Sequence, residues 1–279
     1  MQKSFDVTGP VDLDVTLSSG EVRIDPVPSN ELEVELVGYD DASRELIDSA
    51  RVELRGGSRP ELVVEVPQRR GFSISFSGRS GILCSVRCPE GSSLRARTKS
   101  GSVRVTGDLT DVDVSTASGD TSLRDVRGSL SYKGASGDVE AGAIAGTSGV
   151  NTASGDVSIG SAAERIANNS ASGDISVGSL ENGGRANTAS GDVRIEAVRA
   201  GTVAVNSASG DVTIGIREGS RAHLDCSTVS GDTRSELEVL GDQPAGDGPL
   251  VEVKARTVSG DIVISRASAP ADARWEVQA

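Results

Sequence analysis

Three stretches of the chain carry almost the same seven residues: NTASGDV at 151–157, NSASGDI at 169–175 and NTASGDV at 187–193. Each stretch begins 18 residues after the previous one. The tripeptide Ser-Gly-Asp occurs eight times in the 279 residues, centred on the glycines at 119, 137, 155, 173, 191, 210, 231 and 260. Ser100-Gly101-Ser102 precedes them as a variant copy. A nearly fixed period of this length is typical of a repeat architecture, so the repeat decides the fold.

Apolar residues alternate with polar ones on both sides of each repeat glycine. Val203 and Val205 stand seven and five residues before Gly210, and Val212 and Ile214 stand two and four residues after it. A period of two predicts two short strands per repeat, each with one inward face. Counted from the glycine, the inward positions are odd-numbered before it and even-numbered after it. The alternation therefore breaks at the glycine, and we expect a corner there. Glycine suits such a corner because it tolerates positive φ.

One repeat of this kind cannot bury its own inner face, whereas stacked repeats share a continuous core. The sequence therefore predicts an all-β fold: a single-stranded β-solenoid, or β-helix, of about nine to ten 18-residue coils. We expect residues 91–267 to form the regular solenoid, with a hairpin insertion near 236–254. We expect residues 1–90 to form irregular first coils and an N-terminal cap, with one short helix over 41–50. Residues 268–279, which include Trp275, are expected to form a C-terminal cap.

Composition limits the possible functions. The chain has 34 glycines but only three Phe, two Tyr and one Trp. Aromatic rings supply most stacking platforms for nucleic acids and sugars, so their scarcity disfavours both kinds of site. The formal net charge of −13 repels phosphate backbones and anionic lipids, and we expect no nucleic-acid partner and no direct membrane insertion. No signal peptide or membrane span is visible, so the chain as written is expected to be cytoplasmic.

The chain resembles a known family at Phe5-Asp6-Val7, at Ser19-Gly20-Glu21-Val22 and in the serial Ser-Ala-Ser-Gly-Asp units. These motifs are similar to those of the bacterial adhesin-like β-strand-repeat family, a domain of unknown function related to the toast-rack modules of envelope-stress proteins. The resemblance covers nearly the whole chain. It implies a single-stranded β-helix and supplies no catalytic residues. Many members of the family carry membrane-spanning segments and lie at the cell surface, whereas this sequence shows no such span.

The aspartates that follow the repeat glycines form the sharpest candidate site. Stacking in register would place neighbouring carboxylates roughly 5 Å apart, which costs about 0.8 kcal/mol per pair at the dielectric constant of water. As a row of cation sites, they would bind Ca²⁺, which takes several oxygen ligands. As corner residues, they would instead accept hydrogen bonds from backbone N–H groups or Ser hydroxyls. The residues are Asp120, Asp138, Asp156, Asp174, Asp192, Asp211, Asp232 and Asp261.

Other polar positions have simpler interpretations. The asparagines at 151, 169, 187 and 206 stand four residues before repeat glycines and predict an outward amide ladder. His223 is the only histidine, and we expect it to face solvent without holding a metal. Cys84, Cys88 and Cys226 fall at inward positions, and we interpret them as small core residues.

No activated nucleophile or acid–base pair accompanies the repeat, so we expect no enzyme activity, no catalytic residues and no cofactor site. The first hypothesis is a non-catalytic, adhesin-like binding or scaffold protein. Its coil faces would contact a protein partner, or its ends would self-associate. A polysaccharide-processing β-helix enzyme is one alternative, because Asp and Arg are plentiful. A bacterial cell-envelope stress-response module is another, and it rests on the resemblance alone. Nothing in the sequence supports a glycan partner in particular.

Overall fold

The computed structural model describes residues 1–68, 81–237 and 247–267. Contacts divide the chain into two compact units, Met1–Gly155 and Asp156–Ala279. In both units the described residues form stacked parallel strands, which confirms the all-β solenoid prediction. The expected C-terminal cap over 268–279 and the tip of the expected hairpin at 238–246 lie outside the described residues.

The first unit contains twelve strands and one helix among its described residues. They are β1 (Gln2–Asp6), β2 (Asp12–Val27), β3 (Glu31–Gly38), α1 (Asp41–Asp48), β4 (Arg51–Arg55), β5 (Glu61–Glu65), β6 (Ile82–Pro89), β7 (Ser93–Val105), β8 (Val112–Ser115), β9 (Thr121–Leu123), β10 (Leu130–Lys133), β11 (Val139–Ile144) and β12 (Ser148–Ser154).

Parallel pairing stacks the coils of the first unit in two columns of strands. Before the glycine corners the order is β5, β2, β7, β8, β10 and β12. After the corners it is β6, β2, β7, β9 and β11. Strands β2 and β7 each run through their corner and contribute to both columns, with Gly20 opposite Gly101. Strands β5 and β6 therefore stack on the outer edge of β2, although they follow β2 in the chain.

Antiparallel strands cover the outermost coil of this unit, which β5 and β6 form. β4 pairs with β5, β3 pairs with β6, and β1 pairs with β3. Helix α1 packs beside β3, close to the predicted 41–50. Its N-cap Asp40 accepts a hydrogen bond from the backbone N–H of Ser43 at 2.7 Å, and Ile47 is buried. Two short, charged strands thus form the outer edges of the cap, which discourages further strand pairing.

The second unit contains eleven strands among its described residues. They are β13 (Val157–Ala162), β14 (Ile166–Ser172), β15 (Ile175–Leu180), β16 (Gly184–Ser190), β17 (Val193–Val198), β18 (Gly201–Ser209), β19 (Val212–Arg217), β20 (Arg221–Ser230), β21 (Thr233–Ser235), β22 (Leu250–Ser259) and β23 (Ile262–Ala267).

The later coils of the second unit do not stack in chain order. β22 pairs with β18 along one edge and with β20 along the other, and β23 lies likewise between β19 and β21. The inward residues explain this order. β23 supplies Ile262 and Ile264, both 0% exposed, whereas β21 supplies Thr233 and Ser235, both exposed. The polar coil 221–235 therefore ends the described stack, as polar terminal repeats do in other repeat proteins.

The core consists almost entirely of aliphatic side chains. In β19, Val212, Ile214 and Ile216 are 0% exposed, and the pattern recurs in the neighbouring coils. Tyr132 is the one aromatic side chain among the fully buried residues of the described chain. Small β-branched residues fill a narrow interior at alternate positions of the strands, which accounts for the few aromatic residues in the sequence.

Candidate functional site

The eight aspartates stand directly after the glycine corners, where the sequence placed them. In the first unit, Asp120 Oδ1 accepts the backbone N–H of Asp138 at 3.1 Å. In the second unit the same contact recurs five times at 2.8 Å. In each contact, the backbone N–H of one aspartate donates to Oδ1 of the aspartate in the preceding coil of the stack. The stacking order is Asp156, Asp174, Asp192, Asp211, Asp261 and Asp232. We call this set of contacts the Asp ladder.

In the Asp ladder, hydrogen bonds to the carboxylates oppose the repulsion between neighbouring carboxylates. Repulsion between neighbouring carboxylates is about 0.8 kcal/mol per pair at 5 Å in water. A hydrogen bond to a charged group contributes about 1.5–3 kcal/mol, so each contact offsets the repulsion that stacking creates. These are the contacts that the corner interpretation requires. Among the described residues, no group of three or more His, Cys, Asp or Glu side chains is arranged to hold a metal ion.

The glycine before each aspartate is required by close packing. Gly191 has φ of +146°, and a Cβ atom on it would overlap the carbonyl oxygen of Gly173 in the next coil. Gly173 and Gly210 repeat this geometry in the adjoining coils, with φ of +136° and +145°. The backbone of one corner therefore lies directly against the next, which brings the aspartates into hydrogen-bonding distance.

An outward amide ladder runs beside the Asp ladder in the second unit. Asn187 Nδ2 donates to Asn169 Oδ1 at 2.7 Å, and Asn206 Nδ2 donates to Asn187 Oδ1 at 2.8 Å. The strand register places these three residues opposite one another in β14, β16 and β18. The side chains are thereby held in one orientation, which gives the surface a fixed pattern of amide groups.

A stripe of exposed small apolar residues lies between the amide ladder and the corners. Ala171, Ala189 and Ala208 project outward from β14, β16 and β18, each followed by an exposed serine. We call Asn169, Asn187, Asn206, these three alanines and the serines 172, 190 and 209 the ladder face. The sequence interpretation missed the alanine stripe. Its signal was present, because alanine recurs two residues before six of the repeat glycines.

Two larger apolar side chains project from the polar end of the second unit. Val229 in β20 is 82% exposed, and Val258 in β22 is 55% exposed. Both stand two residues before a repeat glycine, the position that alanine takes in the ladder face. The register pairs Thr228 with Thr257 and Ser230 with Ser259, so the two valines are neighbours. The alanine position therefore becomes more hydrophobic in these two coils.

The three cysteines lie at inward positions and the histidine at an outward one. Cys84 and Cys88 are buried in β6, and burial raises the pKa of each thiol to about 12. Cys226 is partly buried in β20, and burial also raises its pKa. A thiol with a raised pKa holds little of the nucleophilic thiolate at neutral pH. His223 is exposed, as the alternation predicted.

The chain belongs to the Toastrack DUF4097 family, whose model matches residues 11–265. This family is the one that the repeat motifs resemble. No curated protein matches the chain. None of the helices in the described part of the chain is long and apolar enough to cross a membrane.

Several solved structures align with the chain at low sequence identity. A candidate adhesin from Bacteroides fragilis is 13% identical, with 94% of this chain and 96% of that chain covered and a TM-score of 0.49. A candidate lipid-binding protein from Parabacteroides distasonis is 17% identical, with 95% and 96% covered and a TM-score of 0.49. A candidate cell adhesion protein from Clostridium sporogenes is 12% identical, with 95% and 99% covered and a TM-score of 0.30. Likeness at this level carries no conclusion about function.

Proposed function

We propose that the protein is a non-catalytic, adhesin-like binding scaffold that presents the ladder face to a protein partner. The observation that carries this proposal is the regularity of that face. Its asparagines are tied to one another across three coils, and its alanines are exposed in the same register. Side chains that are already ordered lose little conformational entropy when a partner binds.

The composition of the ladder face suits a protein surface. It combines small apolar side chains with amide and hydroxyl groups, and it carries no charged residue in the three coils that define it. Protein interfaces have charge-depleted centres of this kind, with polar groups around an apolar patch. The two exposed valines at the end of the unit extend the same column of positions with larger apolar side chains.

The contacts of the aspartates support a non-catalytic role. Acid–base catalysis needs a carboxyl group that is free to reach a substrate. In the Asp ladder, the acceptor Oδ1 atoms instead hold backbone N–H groups of the next coil. The similarity of successive coils points the same way, because a catalytic site needs a local arrangement that differs from its neighbours.

The test is co-sedimentation of the full chain with isolated bacterial cell envelopes, with and without prior protease treatment of the envelopes. The variant Ala171→Lys with Ala189→Lys places two charges on the ladder face. The matched control is Ser158→Lys with Ser176→Lys, which alters a register pair on β13 and β15. We expect the first variant and the protease treatment to reduce binding about tenfold, and the control to bind like the original chain.

Two results would contradict the proposal. Equal binding by the original chain, the ladder-face variant and the control variant would show that the ladder face is not the binding surface. Release of reducing ends from a polysaccharide by the original chain would show catalysis and would support the polysaccharide-processing alternative. Cell fractionation with an antibody completes the test, because adhesin-type binding requires a surface location.

A further inference from the structure

A groove on the first unit lies apart from the ladder face. It has a volume of about 310 Å³ and crosses the parallel strands β5, β2, β7, β8 and β10. Leu13, Leu94 and Val112 form its floor, and each of them is at most 2% exposed. The walls are polar and charged. They consist of Asp12, Asp14, Glu61, Ser93, Arg95, Asp111, Asp113, Ser129 and Ser131.

Arg95 lies at the centre of the groove, and its guanidinium donates no hydrogen bond to any residue that the structure describes. The register places it between Asp14 on β2 and Asp113 on β8. Its guanidinium nitrogens lie 3.9 Å from an oxygen of each carboxylate. Hydrogen bonds of this type are 2.7–3.2 Å long, so both contacts are electrostatic attractions without a hydrogen bond. The side chain is 52% exposed, and its planar N–H groups face two carboxylates and open solvent.

The carboxylates around Arg95 are nearly neutralised by arginines. Asp14 binds Arg97 at 2.9 Å, Asp12 binds Arg59 at 2.7 Å, and Glu61 binds Arg55 at 3.1 Å. The five acidic side chains of the lining thus face four arginines, which leaves one net negative charge. An anionic ligand would meet five carboxylates. A cationic ligand would meet Arg95 and four acids that already face an arginine, while Asp111 accepts the backbone N–H of Ser129.

A neutral ligand rich in hydroxyl groups fits this arrangement. Carboxylates accept hydrogen bonds from hydroxyls, a guanidinium donates to them in a planar fork, and serines do both. An extended peptide fits less well. The strands β2, β7 and β8 are paired on both edges, so no further strand can be added to them there. With strands about 4.8 Å apart, the groove suits an extended chain of sugar units lying across the coils.

We infer that this groove binds a neutral oligosaccharide, with Arg95 donating to its hydroxyls and with Asp14 and Asp113 accepting from them. The inference rests on the proposed function, because it assigns to a binding scaffold a second site and a ligand class. No aromatic ring lines the groove. Binding therefore depends on hydrogen bonds that compete with water, and the expected Kd is about 1 mM.

The test uses the full chain and a ¹⁵N NMR titration that follows the arginine side chains and, for the affinities of the variants, the backbone amides of β2, β7 and β8. The probes are cellohexaose, maltohexaose and chitohexaose, with an oligogalacturonate as the anionic comparison and a chitosan hexamer as the cationic one. Arg95→Gln removes the planar fork. Arg194→Gln is the matched control, because Arg194 is 65% exposed and lies 3.5 Å from Glu196, and both residues are on β17, away from the groove. Circular dichroism checks that each variant folds.

We expect at least one neutral hexasaccharide to shift the Arg95 resonance, with affinity reduced about tenfold by Arg95→Gln and unchanged by Arg194→Gln. The inference is overturned if no neutral probe binds at millimolar concentration, if both variants bind alike, or if a charged probe binds more tightly. The ladder-face experiment is independent of these results. A finding that no probe binds in the groove would therefore not contradict the proposed scaffold function. Cleavage of a bound probe, detected by mass spectrometry, would support the groove as an oligosaccharide-binding site but would overturn the proposed non-catalytic role.

Discussion

Asp174 Oδ1 accepts the backbone N–H of Asp192 at 2.8 Å, while the N–H of Asp174 donates to Asp156 Oδ1 at the same distance. Each carboxylate is therefore a structural link between two coils. We expect Asp174→Ala to lower the free energy of unfolding by about 1–2 kcal/mol, because it removes the acceptor. Asp174→Asn keeps an Oδ1 acceptor and removes a repelling charge, so its effect should stay below about 1 kcal/mol. Urea denaturation followed by circular dichroism measures both.

Asp225→Ala is the control for this pair. Asp225 is exposed and lies 3.5 Å from Arg256, so its loss should cost less than about 0.5 kcal/mol. Calcium provides the opposing outcome. If calcium raises the Tm by many degrees and Asp156→Asn with Asp174→Asn abolishes that rise, the aspartates are cation ligands rather than corner residues.

The corner glycines predict a large and position-specific effect. Gly191→Ala should lower the free energy of unfolding by about 3 kcal/mol or more, because φ of +146° strains an L-residue and its Cβ would overlap the Gly173 carbonyl. Gly149→Ala is the matched control, since a Cβ there has no atom within 4 Å and φ is not positive. Its cost should be below about 1 kcal/mol. Thermal and urea unfolding measure the stability of both variants. If Gly191→Ala and Gly149→Ala lowered the free energy of unfolding by similar amounts, the corner would be packed more loosely than described.

Asn168 is a polar residue at an inward position. It is 0% exposed, and neither its Nδ2 nor its Oδ1 atom has a hydrogen-bond partner among the described residues. Ala186 stands opposite it in β16, and Val205 takes the same position in β18. We expect Asn168→Val to raise the free energy of unfolding by about 1–3 kcal/mol, because it removes two unsatisfied polar atoms.

Asn168→Asp serves as the control for this substitution. It keeps the side-chain size but buries a charge, so it should destabilise the fold at pH 7 and recover stability as the pH falls. A loss of stability in Asn168→Val would mean that the amide makes hydrogen bonds in solution that the valine cannot replace.

Buried thiols predict a loss of stability in alkaline solution. Burial raises the pKa of Cys84 from 9.0 to about 12, so the unfolded chain ionises this group at a lower pH than the folded chain does. The stabilisation is fully present below about pH 9 and is lost as the pH rises from 9 towards 12. Denaturation at several pH values should show this slope, and Cys84→Ala should reduce it, with Cys88, whose pKa is also raised to about 12, keeping the remainder. An unchanged slope in that variant would place the alkaline transition in other groups.

The sequence predicted the repeating part of this fold well because one physical rule controls it. Inward positions around each glycine must be apolar and small, and the alternation records them directly, as with Val193 and Ile195, each 1% exposed. The aspartates and the asparagine ladder followed from the same register. The corner contacts themselves did not, because a carboxylate column looks the same in sequence whether it binds cations or backbone N–H groups.

Stacking order was harder to predict, because spacing does not determine which coils are neighbours. Strands β5 and β6 join the stack outside β2, although no Ser-Gly-Asp unit lies between them in the sequence. In the second unit, the order of the last coils depends on which coil has the more apolar inward residues. Thr233 and Ser235 were the available signal, because the other Ser-Gly-Asp units have an apolar side chain at one or both of these positions.

The order of the last coils gives the most direct test of the topology. β22 and β23 lie between neighbours on both edges, whereas the described structure gives β20 and β21 a neighbour on one edge. We therefore expect backbone amides of 250–267 to exchange with deuterium about ten times more slowly, or slower still, than those of 221–235, because unpaired edges open locally at low free energy. Hydrogen-exchange mass spectrometry of the full chain measures both segments in one experiment. If the coils stacked in chain order, 250–267 would be the outer coil and would exchange faster, and Ile262→Thr with Ile264→Ser would then cost little stability. In the order described here, the same double variant should destabilise the fold by several kcal/mol, since both side chains are fully buried.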